Sequence, residues 1–431
     1  MKLDINKQFE EVLDILENTN SHMFLTGRAG TGKSTLLDLF RDRTDKQIAV
    51  IAPTGVAAVN VKGETIHSFF GFRPSTTMVQ AKRLAGKTKN RKLYESLETL
   101  VIDEISMVRA DLLDMVNVFL QTVRGDNSVF GGVQVVMVGD LYQLPPVVTN
   151  YEAEALKMAY ETPYFFSALA IIEMGQDLFR PLKFMELEKI YRQEDEEFID
   201  ILNSVRENKI NELKLSSFQV LEHGWQNIKD HVILTAVNYV ADKINLQRLG
   251  QIKSDEKLYI GDLSGDFDGK RLPTDERLTL KVGARIMMLN NDDRGRWING
   301  TMGVVSKLNR ATVKVKFDDG VEHEVMPFSW SMYKSVYDEG SGTIRKEEKG
   351  SFTQLPIRLA WAITVHKAQG KTFDKVIIDL SRGMFAHGQA YVALSRCTSL
   401  AGVKLTGPLL KQHVIMDDRV VKFVDRIRKE K

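Results

Sequence analysis

The stretch "GRAGTGKST", residues 27–35, places three glycines and a lysine in nine positions. Such a composition makes a poor core, a poor helix and a poor strand. It fits the pattern G-x-x-x-x-G-K-[ST] in full, through Gly27, Gly32, Lys33 and Ser34. The flanks agree with that pattern: "HMFLTG" reads as a short buried parallel strand and "STLLDLF" as a helix. The glycines let successive backbone N–H groups turn inward on phosphate oxygens, and the following helix adds the positive end of its dipole. Lys33 then reaches the β- and γ-phosphates, and the Ser34 hydroxyl is placed for Mg²⁺. The stretch therefore reads as a nucleoside triphosphate site. A phosphate loop alone does not say what the triphosphate is used for, because many chemistries share it.

Working outward, "TLVIDEISM" (99–107) is an apolar strand that ends in Asp103 and Glu104. One carboxylate serves the metal, and the second is free to act as general base on water. "VQVVMVGDLYQLPPV" (133–147) is another buried strand, followed by Gln143, whose amide offers both a donor and an acceptor to a γ-phosphate and its attacking water. The strands "MFLTG", "KQIAVIAPT", "TLVIDE" and "VQVVMVGD" alternate with helical segments, which predicts a doubly wound parallel α/β sheet with its ligand at the strand carboxyl ends. From about residue 180 the alternation resumes with "FMELEKIYR", "DHVILTAVN", "DKVIIDL" and "VKLTG", but without a second phosphate loop. This half supplies Arg192 in "EKIYRQ" and Arg396 in "QAYVALSRC", guanidinium groups suited to the charge that grows on a transferring phosphoryl group.

Composition sets the outer bounds. The 431 residues are 43% hydrophobic and 27% charged, as in an ordinary globular protein of two core domains. A single cysteine, Cys397, excludes a disulfide framework and a cysteine-based zinc site. No apolar run approaches a membrane span, and "MKLDINKQFEEV" has no secretory core, so an intracellular, cytoplasmic protein with no membrane partner is expected. Net charge is only +2, yet residues 81–92, "AKRLAGKTKNRK", carry six Lys or Arg and no acid, which suits either a solvated loop or a contact to phosphate backbone.

In its motifs the chain resembles the superfamily-1 helicases of the 5′-to-3′ subgroup, and within them the petite-integration-frequency family in its compact bacterial or phage form. The segments that carry the resemblance are "GRAGTGKS" (27–34), "APTGVAAVNVKGETIHSFF" (52–70), "VIDEISMV" (101–108), "FGGVQVVMVGDLYQLPPV" (130–147), "EKIYRQ" (188–193), "WAITVHKAQGKTFDKVIIDL" (361–380) and "QAYVALSR" (389–396). The resemblance runs from about residue 4 to 407. It implies two RecA-like motor domains, 1–180 and 181–431, powered by ATP and Mg²⁺. It also implies that Gln8 reads adenine, that Gly27, Ala29, Gly30, Thr31, Gly32, Lys33, Ser34, Thr35 and Gly370 bind ATP, and that Ser34 and Asp103 hold the metal. Lys33, Asp103, Glu104, Gln143 and the arginine fingers Arg192 and Arg396 are then the catalytic set.

The same resemblance implies single-stranded and forked duplex DNA as partners. Thr54, Gly55, Thr65 and His67 would hold the strand from the first domain, and Asn238, Thr364, His366 and Lys367 from the second, through contacts that carry no base information. Residues 73–97 fall where the family inserts a strand-separating wedge. The alternating pattern of 298–328, with "KVKFDDGVEHEV" as a hairpin, resembles the family's inserted Src-homology-3-like barrel, expected at about 296–355 with a flexible loop at 337–351. Trp297, Phe317, Phe328 and Trp330 would suit a clamp over the strand. A monomer in solution, with a dimer possible on DNA, is expected. An RNA helicase and a nucleotide-gated binding protein are the rival readings, though two arginines, a carboxylate pair and a second set of grip motifs speak against the second.

Overall fold

The computed structural model describes residues 6–176, 181–193, 195–222, 225, 228, 230–267, 272–338, 340 and 343–429. The first lobe is built on six strands: β1 (His22–Gly27), β2 (Ile48–Ala52), β3 (Glu64–Thr65), β4 (Thr99–Ile102), β5 (Gln134–Val138) and β6 (Leu182–Leu187). They pair in the order β3-β2-β4-β5-β1-β6, every pair parallel. Both faces of this sheet are covered, which is why its strands read as continuous apolar runs rather than as alternating ones. Met23, Leu25, Val50, Val101 and Val136 share one core with the helices α1 (Lys7–Asn18) and α2 (Lys33–Arg43). Phe24, Ala49, Leu100 and Met137 face the other way, into a core shared with the helix Ala110–Arg124.

Helix α1 buries Phe9, Val12, Leu13 and Leu16, the apolar face its spacing predicts, and Asn6 caps it by accepting from the Phe9 amide at 2.9 Å. Ile5, which the same helical spacing adds to that face, lies outside the described residues.

Two expectations about domain limits are corrected. "FMELEKIYR" reads as the opening strand of the second half, but β6 pairs with β1 along six residues and closes the first sheet. The boundary at 180 therefore falls too early. The helix Asp418–Lys429 also returns to the first lobe: Phe423 stacks on Phe166 at 4.2 Å and lies 6.5 Å from Phe24, while Arg428 forks onto Glu186 at 2.9 and 2.7 Å. Residues 181–431 are thus not one unit.

The second lobe carries β7 (Gln219–Val220), β8 (Val232–Thr235), β19 (Ala362–Thr364), β20 (Val376–Ile378) and β21 (Val403–Leu405), all parallel in the order β19-β8-β20-β21-β7. Between β8 and β19 the chain makes an antiparallel insertion that starts well before 296. Its strands are β9 (Glu256–Ile260), β10 (Asp262–Gly265), β11 (Arg277–Lys281), β12 (Arg285–Met288), β13 (Met302–Leu308), β14 (Val313–Phe317), β15 (Glu322–Val325), β16 (Phe328–Asp338), β17 (Thr343–Gln354) and β18 (Ile357–Leu359). They form a five-stranded sheet β15-β14-β13-β12-β18, a three-stranded sheet β10-β17-β16 and the pair β11-β9.

Most of the loop expected at 337–351 is strand, because β16 and β17 pair along nearly their whole length. That hairpin reaches the first lobe, where the Ser335 amide donates to Glu64 at 2.6 Å and the Ile344 amide to the Gln47 side chain at 2.7 Å. Trp297, Phe317 and Trp330 are buried within the insertion and so are not available as a clamp.

The basic run 81–92 is mostly helix rather than loop, within the segment 73–97. The segment folds into the helices Met78–Lys87 and Arg91–Ser96, which bury Ala81, Ala85, Leu93 and Tyr94, and the Tyr94 hydroxyl donates to the Phe69 carbonyl at 2.6 Å. Phe69, Phe70 and Phe72 join Tyr94 and Phe119 in one aromatic cluster and are core residues.

Because Phe423 holds the terminal helix against the first sheet, Phe423→Ala is expected to cost about 3–5 kcal/mol in urea unfolding. It should also make the last dozen residues the first site of proteolysis; unchanged stability would show that the helix is only loosely docked.

Candidate active site

The phosphate loop runs from the end of β1 to the start of α2, and its shape depends on two glycines. Gly32 caps α2 in the left-handed region at φ +84°, where a Cβ would lie 2.9 Å from the Phe9 ring. Gly30, at φ +81°, leaves room for Arg192, since a Cβ there would come within 2.5 Å of the Arg192 Cβ. The Tyr191 amide donates to the Gly30 carbonyl at 2.9 Å. One motif arginine thus lies directly on the loop.

Lys33 Nζ donates to the carbonyls of Gly27 and Arg28 at 2.8 and 3.0 Å, and Thr31 Oγ1 donates to the Arg28 carbonyl at 2.9 Å. Ser34 and Thr35 face solvent. Burial pushes the Lys33 amine below its usual range, while the charges of Asp140, Glu104 and Asp103 pull it back. Burial likewise raises Asp103, against a hydrogen bond from the Glu104 amide and the charge of Lys33. Glu104, whose backbone adopts φ +51°, is pushed up to about 7 by burial first and then by the charge of Asp103, with Lys33 and Arg396 opposing.

The two lobes meet at this cluster. The Ala29 amide donates to the hydroxyl of Tyr391, on the helix Gln389–Leu394 of the second lobe, at 3.1 Å. Arg396 follows that helix, buried to 1% exposure, and bonds to the Val392 carbonyl at 2.9 Å and to Ser395 Oγ at 2.9 Å. Burial and then the charge of Arg192 bring its guanidinium down to about 9, against the pull of Tyr391 and Glu104. The Gln193 side chain spans the same seam, donating to the carbonyls of Ser395 and Cys397 at 3.2 and 3.0 Å.

Gln143 stands where its motif places it, its amide donating to Asp140 at 3.3 Å. Asp140 in turn pairs with Arg206 at 3.1 Å, and the Arg206 guanidinium lies 4.2 Å over the Tyr142 ring. Gly370 lies in the left-handed region at φ +77°, one residue after Gln369, whose amide donates to Glu104 at 3.1 Å and to Gln143 at 3.3 Å. Gln8 donates to the Glu186 carbonyl at 3.2 Å and accepts from the Glu188 amide at 3.1 Å, with one N–H and one lone pair to spare. A cleft of about 410 Å³ lined by Arg28, Glu186, Leu187, Glu188, Glu207 and Arg428 opens beside it.

The expected grip residues lie at strand carboxyl ends in both lobes. Thr54, Thr65 and Thr364 each cap a short helix, accepting from the amides of Ala57, Ser68 and Lys367 at 3.2, 3.1 and 3.4 Å. Gly55 faces open space, His67 is half-buried, and Asn238, His366 and Lys367 are exposed. Thr364 Oγ1 also meets Asn238 at 3.4 Å. Lys371 Nζ donates to Asn299 of the insertion at 2.5 Å, and burial holds its amine down at about 8.

Sequence reasoning passed over Gln369, Tyr391, Asp140, Arg206 and Lys371. The first three and Lys371 sit inside quoted motifs, Gln369 and Lys371 on either side of Gly370. Arg206 has no motif to mark it, and only its position beneath Asp140 shows its part.

A phosphate loop, a paired carboxylate and two motif arginines, shared between two parallel sheets, define a two-lobed nucleoside triphosphatase. The comparisons narrow that class. The PIF1-like helicase family matches residues 2–216. The ATP-dependent DNA helicase Pif1 of Bdellovibrio bacteriovorus is 31% identical over 436 residues, covering 98% of this chain and 92% of its own. The crystal structure of Bacteroides sp. Pif1 in complex with ADP-AlF4 superposes with a TM-score of 0.90 at 34% identity, over 100% of this chain and 98% of that one. Bacteroides Pif1 bound to ssDNA, at 36% identity and the same coverage, gives 0.70. The chain belongs to the PIF1-like helicase family, and its two parallel sheets are the RecA-like domains of that fold.

A general base must be ionised to take a proton from water. With Glu104 pushed up to about 7, kcat/KM for ATP is expected to fall as pH drops through that value and to level off above it. A steady-state pH profile with no limb between pH 6 and 8 would assign the base to another group.

Proposed function

We propose that this protein is an ATP-dependent DNA helicase that moves 5′ to 3′ on single-stranded DNA and unwinds duplex by hydrolysing Mg-ATP between its two lobes. The observation that carries the proposal is the seam itself: Glu104 of one lobe and Arg396 of the other share one buried charge cluster around the phosphate loop. In this mechanism Lys33 and the loop amides bind the β- and γ-phosphates, Gln8 reads adenine, and Gly370 borders the triphosphate. Glu104 takes the proton of the attacking water, Gln143 orients that water, and Arg192 and Arg396 neutralise charge as the bond to the leaving phosphate breaks.

The exposed Ser34 hydroxyl and the Asp103 carboxylate are the hard oxygen donors that Mg²⁺ takes, alongside phosphate oxygens. Bound there, the ion would neutralise phosphate charge. No group of three His, Cys, Asp or Glu side chains that could hold a metal ion exists among the described residues.

Thr54, Gly55, Thr65 and His67 would grip the strand from the first lobe, and Asn238, Thr364, His366 and Lys367 from the second. Closure on ATP then moves one grip relative to the other. The lower superposition on the ssDNA-bound relative, 0.70 against 0.90, fits a change of shape on DNA. In this reading the helices at 73–97 act as the wedge, and the insertion serves as the family's Src-homology-3-like barrel. The protein works as a monomer that can pair on forked DNA.

Duplexes with a 5′ tail, a 3′ tail or none test the whole reading; ATP-driven unwinding of the 5′-tailed DNA alone is expected. Unwinding of an RNA tracking strand at equal rate would favour the RNA helicase instead. Glu104→Gln should keep ATP binding and lose about 10²–10⁴ in turnover. Arg396→Ala should cut kcat by about 10³–10⁵. A loss of thermal stability without a loss of kcat would remove the finger role.

A further inference from the structure

Gln369 belongs to the second lobe, yet its amide reaches two residues of the first. Its Nε2 donates to Glu104 Oε2 at 3.1 Å and to Gln143 Oε1 at 3.3 Å. A primary amide has two N–H donors, so both bonds can be made at once. Gln369 is also the residue that ends the short helix Val365–Ala368, and that helix starts on Thr364 and carries His366 and Lys367. Three of the expected DNA-grip residues and one ligand of the hydrolytic pair therefore lie within six consecutive positions.

The chain of contacts extends further. Gln143 is held at its amide by Asp140, and Asp140 is held by the buried Arg206. One continuous run, Arg206, Asp140, Gln143, Gln369 and Glu104, crosses the seam with no gap longer than 3.3 Å. Four of its five members have few alternatives: Arg206, Asp140 and Gln143 are buried, and Glu104 is fixed on a left-handed backbone. Gln369 alone rides on an element that binds another ligand. It is the place where the run can be made or broken.

We propose that Gln369 is a positioning residue that aims Glu104 and Gln143 at the attacking water, and that the Val365–Ala368 helix carries the effect of strand binding to that pair through it. This rests on the reading of Glu104 as the general base. Gln369 itself forms and breaks no covalent bond; water oxygen joins the γ-phosphorus, the bond to the bridging oxygen breaks, and the proton goes to Glu104. A misaimed carboxylate loses rate without losing nucleotide, because neither ATP nor DNA affinity depends on its direction.

The test compares wild type with Gln369→Met, which keeps the length and removes both donors, and Gln369→Glu, which keeps the shape and sets a carboxylate against Glu104. ATP turnover is measured with and without oligo-dT, together with the oligo-dT Kd, the KM for ATP, binding of a fluorescent ADP and the melting temperature. For Gln369→Met, kcat with oligo-dT is expected to fall about 10- to 100-fold, the range for one hydrogen bond to a charged group, with KM and Kd within about twofold. Gln369→Glu should fall at least as far. In the Glu104→Gln background, Gln369→Met should cost nothing further, since the group it aims is gone. Full stimulation by oligo-dT in Gln369→Met would overturn the proposal, and so would a loss explained by weaker oligo-dT binding, which would make Gln369 a plain DNA contact. Should Gln369→Met not melt cooperatively, Gln369→Glu decides by the same criteria. Normal turnover in Glu104→Gln alone would instead overturn the assignment of the base.

Discussion

Two cations that burial would rather neutralise, Lys33 and Arg396, are kept beside two carboxylates that burial would rather protonate, Asp103 and Glu104. Each ion alone would be expensive to hold in a low dielectric. Together, at the seam of two sheets, they partly compensate one another, and the share that Arg396 contributes exists only while the lobes face each other. The contacts around the cluster serve that constraint: Arg192 laid on Gly30, Tyr391 on the Ala29 amide, Gln193 on the carbonyls either side of Arg396 and Gln369 on Glu104.

The architecture explains how such a site can be both rigid and divided. Parallel strands covered on both faces give each lobe a dry, closely packed sheet, and the phosphate loop, the carboxylate pair and Gln143 stand on the loops at the carboxyl ends of those strands. The first lobe supplies the loop, the carboxylate pair and Gln143; the second supplies Arg396, Tyr391 and Gln369. The chain ties the halves in three further ways. The terminal helix returns to the first sheet through Phe423, Arg428 locks onto Glu186, and the β16–β17 hairpin bonds to Glu64 and Gln47. Glu64 is held above its usual pKa by burial, which fits a carboxylate covered by the hairpin.

Cationic residues outside the nucleotide site show how strongly position decides role. The basic run at 81–92 looked like a loop by composition, because six charges and no acid describe a solvated surface equally well. In the folded chain Ala81 and Ala85 bury one face of a helix and leave the lysines and arginines on the other. Conversely, Lys371 and Arg206 stand out little among the chain's 59 basic residues, yet one is held near pKa 8 beneath the insertion and the other lies wholly inside the seam.

By itself the sequence determined the parts whose chemistry is local. A phosphate loop needs its glycines and lysine at fixed offsets, a buried strand needs an apolar run, and a carboxylate doublet at the carboxyl end of a parallel strand stands on the same edge of the sheet as the loop. Gly27 to Thr35, Asp103, Glu104, Gln143 and the two parallel sheets were therefore legible without coordinates. Only the tertiary structure decided what depends on distant segments meeting: that β6 closes the first sheet rather than opening the second, that the insertion begins at β9, that the chain's last described helix docks where it nearly began, and that Gln369 touches Glu104. Strand order in a parallel sheet and contacts across a seam leave no periodic trace in the chain, because crossover connections let any strand of the right length and hydrophobicity take any place. A lone glutamine in a motif looks the same whether it faces solvent or the base of a catalytic site.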